Sequence, residues 1–164
     1  MLEHRSSVVI GLISDTHGLV RRECHGALAG VELIFHAGDV GGADVLLELA
    51  AIAPVEAVAG NIDGPGSNLP RRIRRELAGL TVLVTHGDEL GSPTPGQLFA
   101  RYDADVIVYG HTHKAAVHRE GSRLAVNPGA AGPRRFRAVP SVARLAIENG
   151  RAEVEVLEIV PGPG

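Results

Sequence analysis

The chain has 164 residues, of which 45% are hydrophobic and 21% charged, and it carries a formal charge of −3. A domain of that size buries most of its apolar surface in one core, and its mild acidity gives no general pull toward nucleic acid or an anionic membrane. Its single cysteine, Cys24, cannot close an internal disulfide, so a reducing, cytoplasmic setting is expected. The polar start, Met1–Ser7, leads into an apolar stretch that ends at Ile13, too short for a membrane span or a signal peptide.

In chain order, Val8–Ser14 reads as a strand covered on both faces. Leu19–Ala29 places Val20, Cys24, Ala27 and Leu28 at roughly helical spacing and stops at Gly30. Glu32–Ala37 is a second strand, Gly42–Ile52 a second helix and Val55–Ala59 a third strand. This alternation predicts parallel pairing with right-handed crossovers, so the strands end at one edge of a sheet, where ligand sites of such sheets gather.

The second half reads as short strands: Arg71–Leu77, Leu80–Thr85, Val106–Tyr109, Ala115–Arg119, Arg123–Asn127, Ser141–Ile147 and Ala152–Ile159. Turn signals separate them at Ala78-Gly79, Glu120-Gly121 and Asn149-Gly150, the last a strong hairpin signal. Thr94–Tyr102 alone reads as helix here. Together the elements predict one domain over residues 1–164, a mixed two-sheet sandwich with helices outside.

Chemistry is concentrated where the strands end. Asp15-Thr16-His17 follows the first, Gly38-Asp39 the second and Gly60-Asn61 the third; His86 and Gly110-His111-Thr112-His113 close two more. Carboxylate oxygen and imidazole nitrogen are ligands for divalent transition metals. Singly, Asp15 suits a helix N-cap and the Gly-Asp and Gly-Asn pairs suit turns. Five such blocks in order, all at strand ends, point instead to a metal site. His4, His25 and His118 lack this context. His36 reads as a structural residue or as support for a ligand.

At these residues the chain resembles the calcineurin-like metallophosphoesterase superfamily, and within it the small single-domain YfcE-like phosphodiesterase branch. The resemblance runs from Ile13-Ser14-Asp15-Thr16-His17-Gly18 to Asn127-Pro128-Gly129. It implies an α/β fold, a four-layer αββα sandwich of two mixed sheets flanked by helices. It also implies two divalent metal ions, with manganese the first choice and iron, zinc, nickel or cobalt as alternatives. One ion would take Asp15, His17, Asp39 and His113; the other would take Asp39, Asn61, His86 and His111, with Asp39 bridging. Asp39, Asn61, His86 and His111 are the implied catalytic residues. The implied reaction is hydrolysis of a small phosphate ester, a diester before a monoester, by metal-bound hydroxide.

Three positions depart from the pattern. Ile62 stands where larger members carry a histidine after Gly-Asn, which points to esters with good leaving groups or to acid assistance from Asp63 or a water. Asp88 replaces the second histidine of His-Gly-His, and Ala130 follows Asn-Pro-Gly where serine is frequent. The clusters Arg71-Arg72-Ile73-Arg74-Arg75 and Pro133-Arg134-Arg135-Phe136-Arg137 are candidates for phosphate contact or for a solvated strand edge. No membrane or nucleic-acid partner is expected, and a homo-oligomer is compatible with the sequence. The rival reading is a non-catalytic scaffold on the same fold.

Overall fold

Two five-stranded mixed sheets lie face to face in the computed structural model, which describes residues 2–134 and 138–159. The first sheet contains β1 (Ser7–Ile13), β2 (Leu33–His36), β3 (Val55–Ala57), β9 (Ser141–Glu148) and β10 (Arg151–Glu158). Its order is β10-β9-β1-β2-β3, with β1, β2 and β3 parallel. The second contains β4 (Arg72–Leu77), β5 (Leu80–Thr85), β6 (Val106–Val108), β7 (Ala116–Glu120) and β8 (Arg123–Asn127). Its order is β4-β5-β6-β8-β7, with β5, β6 and β8 parallel.

Strict alternation makes the layers. Val8, Ile10, Leu12 and Phe35 of the first sheet meet Val82, Val84, Val106, Val108, Leu124 and Val126 of the second in the central core. The intervening residues of the same strands point outward and are covered by helices. Ile13 and Ile34 lie under α1 (Glu23–Ala27) and α2 (Ala43–Ala50) through Cys24, Leu28, Val45 and Leu49. Leu83, Ile107 and Ala125 lie under α3 (Pro95–Arg101) through Leu98 and Phe99. The result is the four-layer αββα sandwich, α/β in class, that the motifs imply. These strands therefore read as near-continuous apolar runs, since both of their faces are covered.

Local signals act as expected at the turns. Asn149 and Gly150 both have positive φ, 51° and 75°, and close the β9–β10 hairpin. Thr94 and Gln97 form a reciprocal capping box that starts α3. The first helix is a correction: Leu19–Ala29 is helical only over Glu23–Ala27. Its predicted first turn is drawn into a loop by Gly18 N–H on Val40 O at 2.9 Å and Arg21 Nε on Gly132 O at 3.1 Å. Among the described residues no helix is long and apolar enough to cross a membrane.

Candidate metal centre

Parallel pairing carries the ligand-bearing loops to one edge. Asp15 and Asp39 leave neighbouring strands β1 and β2, and Asn61 lies beyond β3. His86 leaves β5, and His111 and His113 leave β6, at the facing edge of the other sheet. The loops are stitched by Asp15 N–H on Gly38 O and His17 N–H on Asp39 O, both 3.0 Å, and by Gly110 N–H on His86 O at 3.1 Å.

Five of the seven predicted ligands hold a left-handed backbone: Asp15 (φ 54°), His17 (47°), Asp39 (55°), His111 (72°) and His113 (63°). Each such non-glycine residue costs on the order of 1–2 kcal/mol. Strain gathered at consecutive strand ends is stored where function demands a particular side-chain direction.

The ligand atoms converge in two groups that share Asp39. Asp15, His17, Asp39 and His113 form one; Asp39, His86 and His111 form the other, and within each group the ligand atoms lie within 4.8 Å of one another. His17 Nε2 is 3.6 Å and His86 Nε2 3.3 Å from Asp39 Oδ2, so one carboxylate oxygen faces both groups. Asn61 joins the second group, its Oδ1 lying 3.1 Å from both His86 Nε2 and His111 Nδ1.

The donor set demands a cation. His86 Nδ1 lies 2.8 Å from Ala37 O, which can only accept, so Nδ1 carries the proton. In a neutral imidazole Nε2 then presents a lone pair, yet it faces Asn61 Oδ1 and Asp39 Oδ2, both acceptors. A proton or a metal ion must sit among them, and a mixed nitrogen and oxygen set suits a divalent transition metal. Asp15 repeats the pattern: Oδ2 accepts from Ser14 Oγ (2.6 Å) and the His111 N–H (3.2 Å). Its Oδ1 is buried without a well-aligned hydrogen bond among the described residues, although His113 Nε2 is 3.3 Å away.

Electrostatics agree with the geometry. Burial opposes charge on Asp15, but His113, His86 and Ser14 outweigh it and hold its pKa below the ordinary value. Burial opposes charge on Asp39 too, and His86 with the Ile62 N–H outweighs it. Burial also disfavours the His86 cation, and Asp39 and Asp15 raise its pKa nonetheless.

A ring of residues holds the ligands in place. His36 is fully buried; its Nδ1 accepts the Gly38 N–H at 3.1 Å. Its Nε2 meets Thr16 Oγ1 at 2.9 Å, and that hydroxyl donates to Val40 O, so Nε2 is the protonated nitrogen. His36 thus joins the Asp15 and Asp39 loops as a neutral ring, and burial lowers its pKa to about 4. The unfolded chain takes up this proton below pH 6.5, the folded one only near 4. Folding therefore loses stability as pH falls across that window, on the order of 3 kcal/mol from this residue. An NMR titration of the His36 ring should place its pKa below 5; a value near 6.5 would refute the assignment.

Asp63 is a second correction. Its carboxylate accepts the N–H groups of Val40 (3.0 Å), Gly41 (3.1 Å) and Gly60 (2.9 Å), so it fastens the Asp39 and Asn61 loops together instead of standing free as an acid. Asp63→Ala should lower stability by about 1–3 kcal/mol in urea unfolding, because the N–H groups of Val40 and Gly60, both buried residues, lose their acceptor. Asn127, of Asn-Pro-Gly, plays the matching part opposite: its Nδ2 donates to Gly110 O (3.2 Å) and Thr112 Oγ1 (3.0 Å), holding the His111–His113 loop.

The arginine cluster on β4 is spent on internal contacts. Arg71 Nη2 lies 2.8 and 2.9 Å from the two Asp88 oxygens, Arg74 donates to Asp103 O, Arg75 pairs with Glu56 and Arg72 lies over Tyr102. Asp88, in the place of a histidine, is thus the partner of Arg71. In the second cluster, residues 135–137 lie outside the described residues. His25 Nε2 is 3.2 Å from Glu48, and His118 lies against Phe99, both apart from the centre.

Known proteins resemble the chain in sequence and in fold. Residues 8–150 match the family model described as the calcineurin-like phosphoesterase superfamily domain. A probable metallophosphoesterase of Methanothermobacter thermautotrophicus is 35% identical over 161 residues, covering 92% of each chain. Vacuolar Protein Sorting 29 from Cryptosporidium parvum has a similar structure, with a TM-score of 0.77, 24% identity and coverage of 94% of this chain and 99% of that one. A structure described as a novel archaeal phosphodiesterase aligns with a TM-score of 0.70 and 24% identity over 91% of this chain and 99% of that one.

Proposed function

We propose, for a chain that belongs to the calcineurin-like phosphoesterase superfamily, that it hydrolyses a small phosphate ester with two divalent ions, manganese first among them. Asp15, His17, Asp39 and His113 would hold one ion; Asp39, Asn61, His86 and His111 would hold the other. The observation that carries this reading is the convergence of His86 Nε2, Asn61 Oδ1 and Asp39 Oδ2, a set that needs a shared cation among them. When bound, such ions lower the pKa of water and neutralise charge on the non-bridging oxygens of the ester.

The chain's own residues supply the rest. Asp39 Oδ2 faces both groups, and its Oδ1 is fixed by the Ile62 N–H at 3.0 Å, so the shared carboxylate cannot swing away. Asn61 adds an oxygen ligand without a further negative charge, which limits repulsion of an anionic ester. His111 is only part-buried and lies at the open side of the centre. Ile62 carries no proton to donate, and Asp63 is engaged through both oxygens with backbone N–H groups. This favours esters whose alcohol departs as a stable anion, in keeping with a diester preference and with the archaeal phosphodiesterase that shares the fold. The single buried cysteine supports a cytoplasmic, reducing setting.

The fold is also that of Vacuolar Protein Sorting 29, so fold alone leaves a non-catalytic scaffold as the second reading. The full set of seven convergent ligands supports the hydrolase. Protein reconstituted in turn with manganese, iron, zinc, nickel and cobalt should hydrolyse bis(4-nitrophenyl) phosphate faster than 4-nitrophenyl phosphate. Clean, folded protein without metal-dependent turnover would favour the scaffold.

A further inference from the structure

A cavity of about 470 Å³ opens beside the centre, walled by Val40, Leu46, Ile62 and Leu69 with glycine backbone between them. Two of its lining residues directly follow candidate ligands: Val40 follows Asp39, and Ile62 follows Asn61 and is bonded through its N–H to Asp39 Oδ1 at 3.0 Å. Its volume is that of a small-molecule site, and such sites are apolar with few polar groups. Ile62 leaves 48% of its surface exposed, a large apolar side chain in solvent at the rim of a polar centre. The one acidic lining residue, Asp63, has both oxygens bonded to backbone N–H groups, so the cavity offers no cationic side chain to a second anionic group.

We infer that this cavity receives an apolar, flat ester group of the substrate, so that the chain selects aryl-like phosphate diesters over esters of small polar alcohols and over polyphosphates. The inference rests on the hydrolase reading for the position of the phosphorus; the cavity itself is a binding site that can be tested separately. The occupant follows from the walls: four apolar side chains adjoining two ligands suit the carbon portion of an ester whose phosphate is held at those ligands. The isoleucine in place of a polar residue after Asn61 is then a specificity element.

Methyl NMR of the zinc-loaded protein tests this with two anions of equal charge, diphenyl phosphate and dimethyl phosphate. Diphenyl phosphate should shift the methyl signals of Val40, Leu46, Ile62 and Leu69, and dimethyl phosphate should not. Two variants complete the test. Ile62→Asp makes the wall polar at an exposed position. Gly66→Phe adds a bulky side chain to the lining, at a position where a β-carbon meets nothing within 4 Å. Each should weaken diphenyl phosphate about tenfold and raise KM for bis(4-nitrophenyl) phosphate to match, with metal content retained. Unchanged affinity and KM in both variants would overturn the subsite and leave the hydrolase reading standing. Cavity shifts in a protein that turns over no ester with any metal would support the subsite and overturn the hydrolase.

Discussion

Asp39→Asn leaves the protein folded and reduces metal-dependent turnover about a thousandfold or more, the loss expected when several kcal/mol of transition-state charge stabilisation disappear. Asparagine has nearly the same shape, and its amide oxygen can still accept the Ile62 N–H that Asp39 Oδ1 accepts. What it lacks is the anionic Oδ2, the atom that lies 3.6 Å from His17 Nε2 and 3.3 Å from His86 Nε2 and serves both ligand groups. His86 also loses the carboxylate that does most to raise its pKa against burial, so its pKa falls in the variant. Circular dichroism should match wild type, while calorimetric titration with manganese shows weakened binding and kcat/KM for bis(4-nitrophenyl) phosphate collapses. Turnover equal to wild type would refute the shared-ligand assignment.

Gly60→Ala should remove activity through sterics alone, with every candidate ligand residue kept. A β-carbon on Gly60 would overlap Asp39 Oδ1 and the Asp39 backbone nitrogen and come within 2.9 Å of Asp39 Cγ. Only glycine allows the Asn61 loop to lie this close to the Asp39 loop. The added methyl must displace Asp39, with a stability cost of about 3 kcal/mol, at the upper end for overpacking, and at least a hundredfold loss in kcat/KM. Gly96→Ala in α3 is the control: its β-carbon meets nothing within 4 Å, and alanine in a helix should stabilise by about 0.5–1 kcal/mol. Thermal unfolding and turnover of both variants check the contrast; a Gly60→Ala protein as active and stable as wild type would mean the two loops are not held at this distance.

The convergence of the candidate ligands was legible in the sequence because each sits where an apolar strand stops, and parallel topology brings such ends together. Asp15, Asp39 and Asn61 follow β1, β2 and β3 in just this way. The hairpin at Asn149-Gly150 was legible for a similarly local reason. What could not be read depends on contacts between distant loops. Asp63 looks like an available acid because nothing nearby in sequence shows that its acceptors serve Val40 and Gly41, more than twenty residues earlier. Arg71 looks like a phosphate contact until Asp88, seventeen residues on, is seen to hold it. The first helix was overextended since apolar spacing through Val20 cannot report that Arg21 reaches Gly132. One signal was available for the cavity: Ile62, an aliphatic residue among turn formers directly after a ligand.

The central claim is that Asp39 is shared by two ions held by these seven residues. Anomalous diffraction from crystals soaked in manganese tests it most directly. Two peaks should appear about 3.5–4 Å apart on either side of the Asp39 carboxylate, the spacing of two-metal phosphoesterase sites. One should lie among Asp15, His17 and His113, the other among Asn61, His86 and His111. No peak at Asp39, or a single ion bound away from it in a fully soaked crystal, would contradict the account.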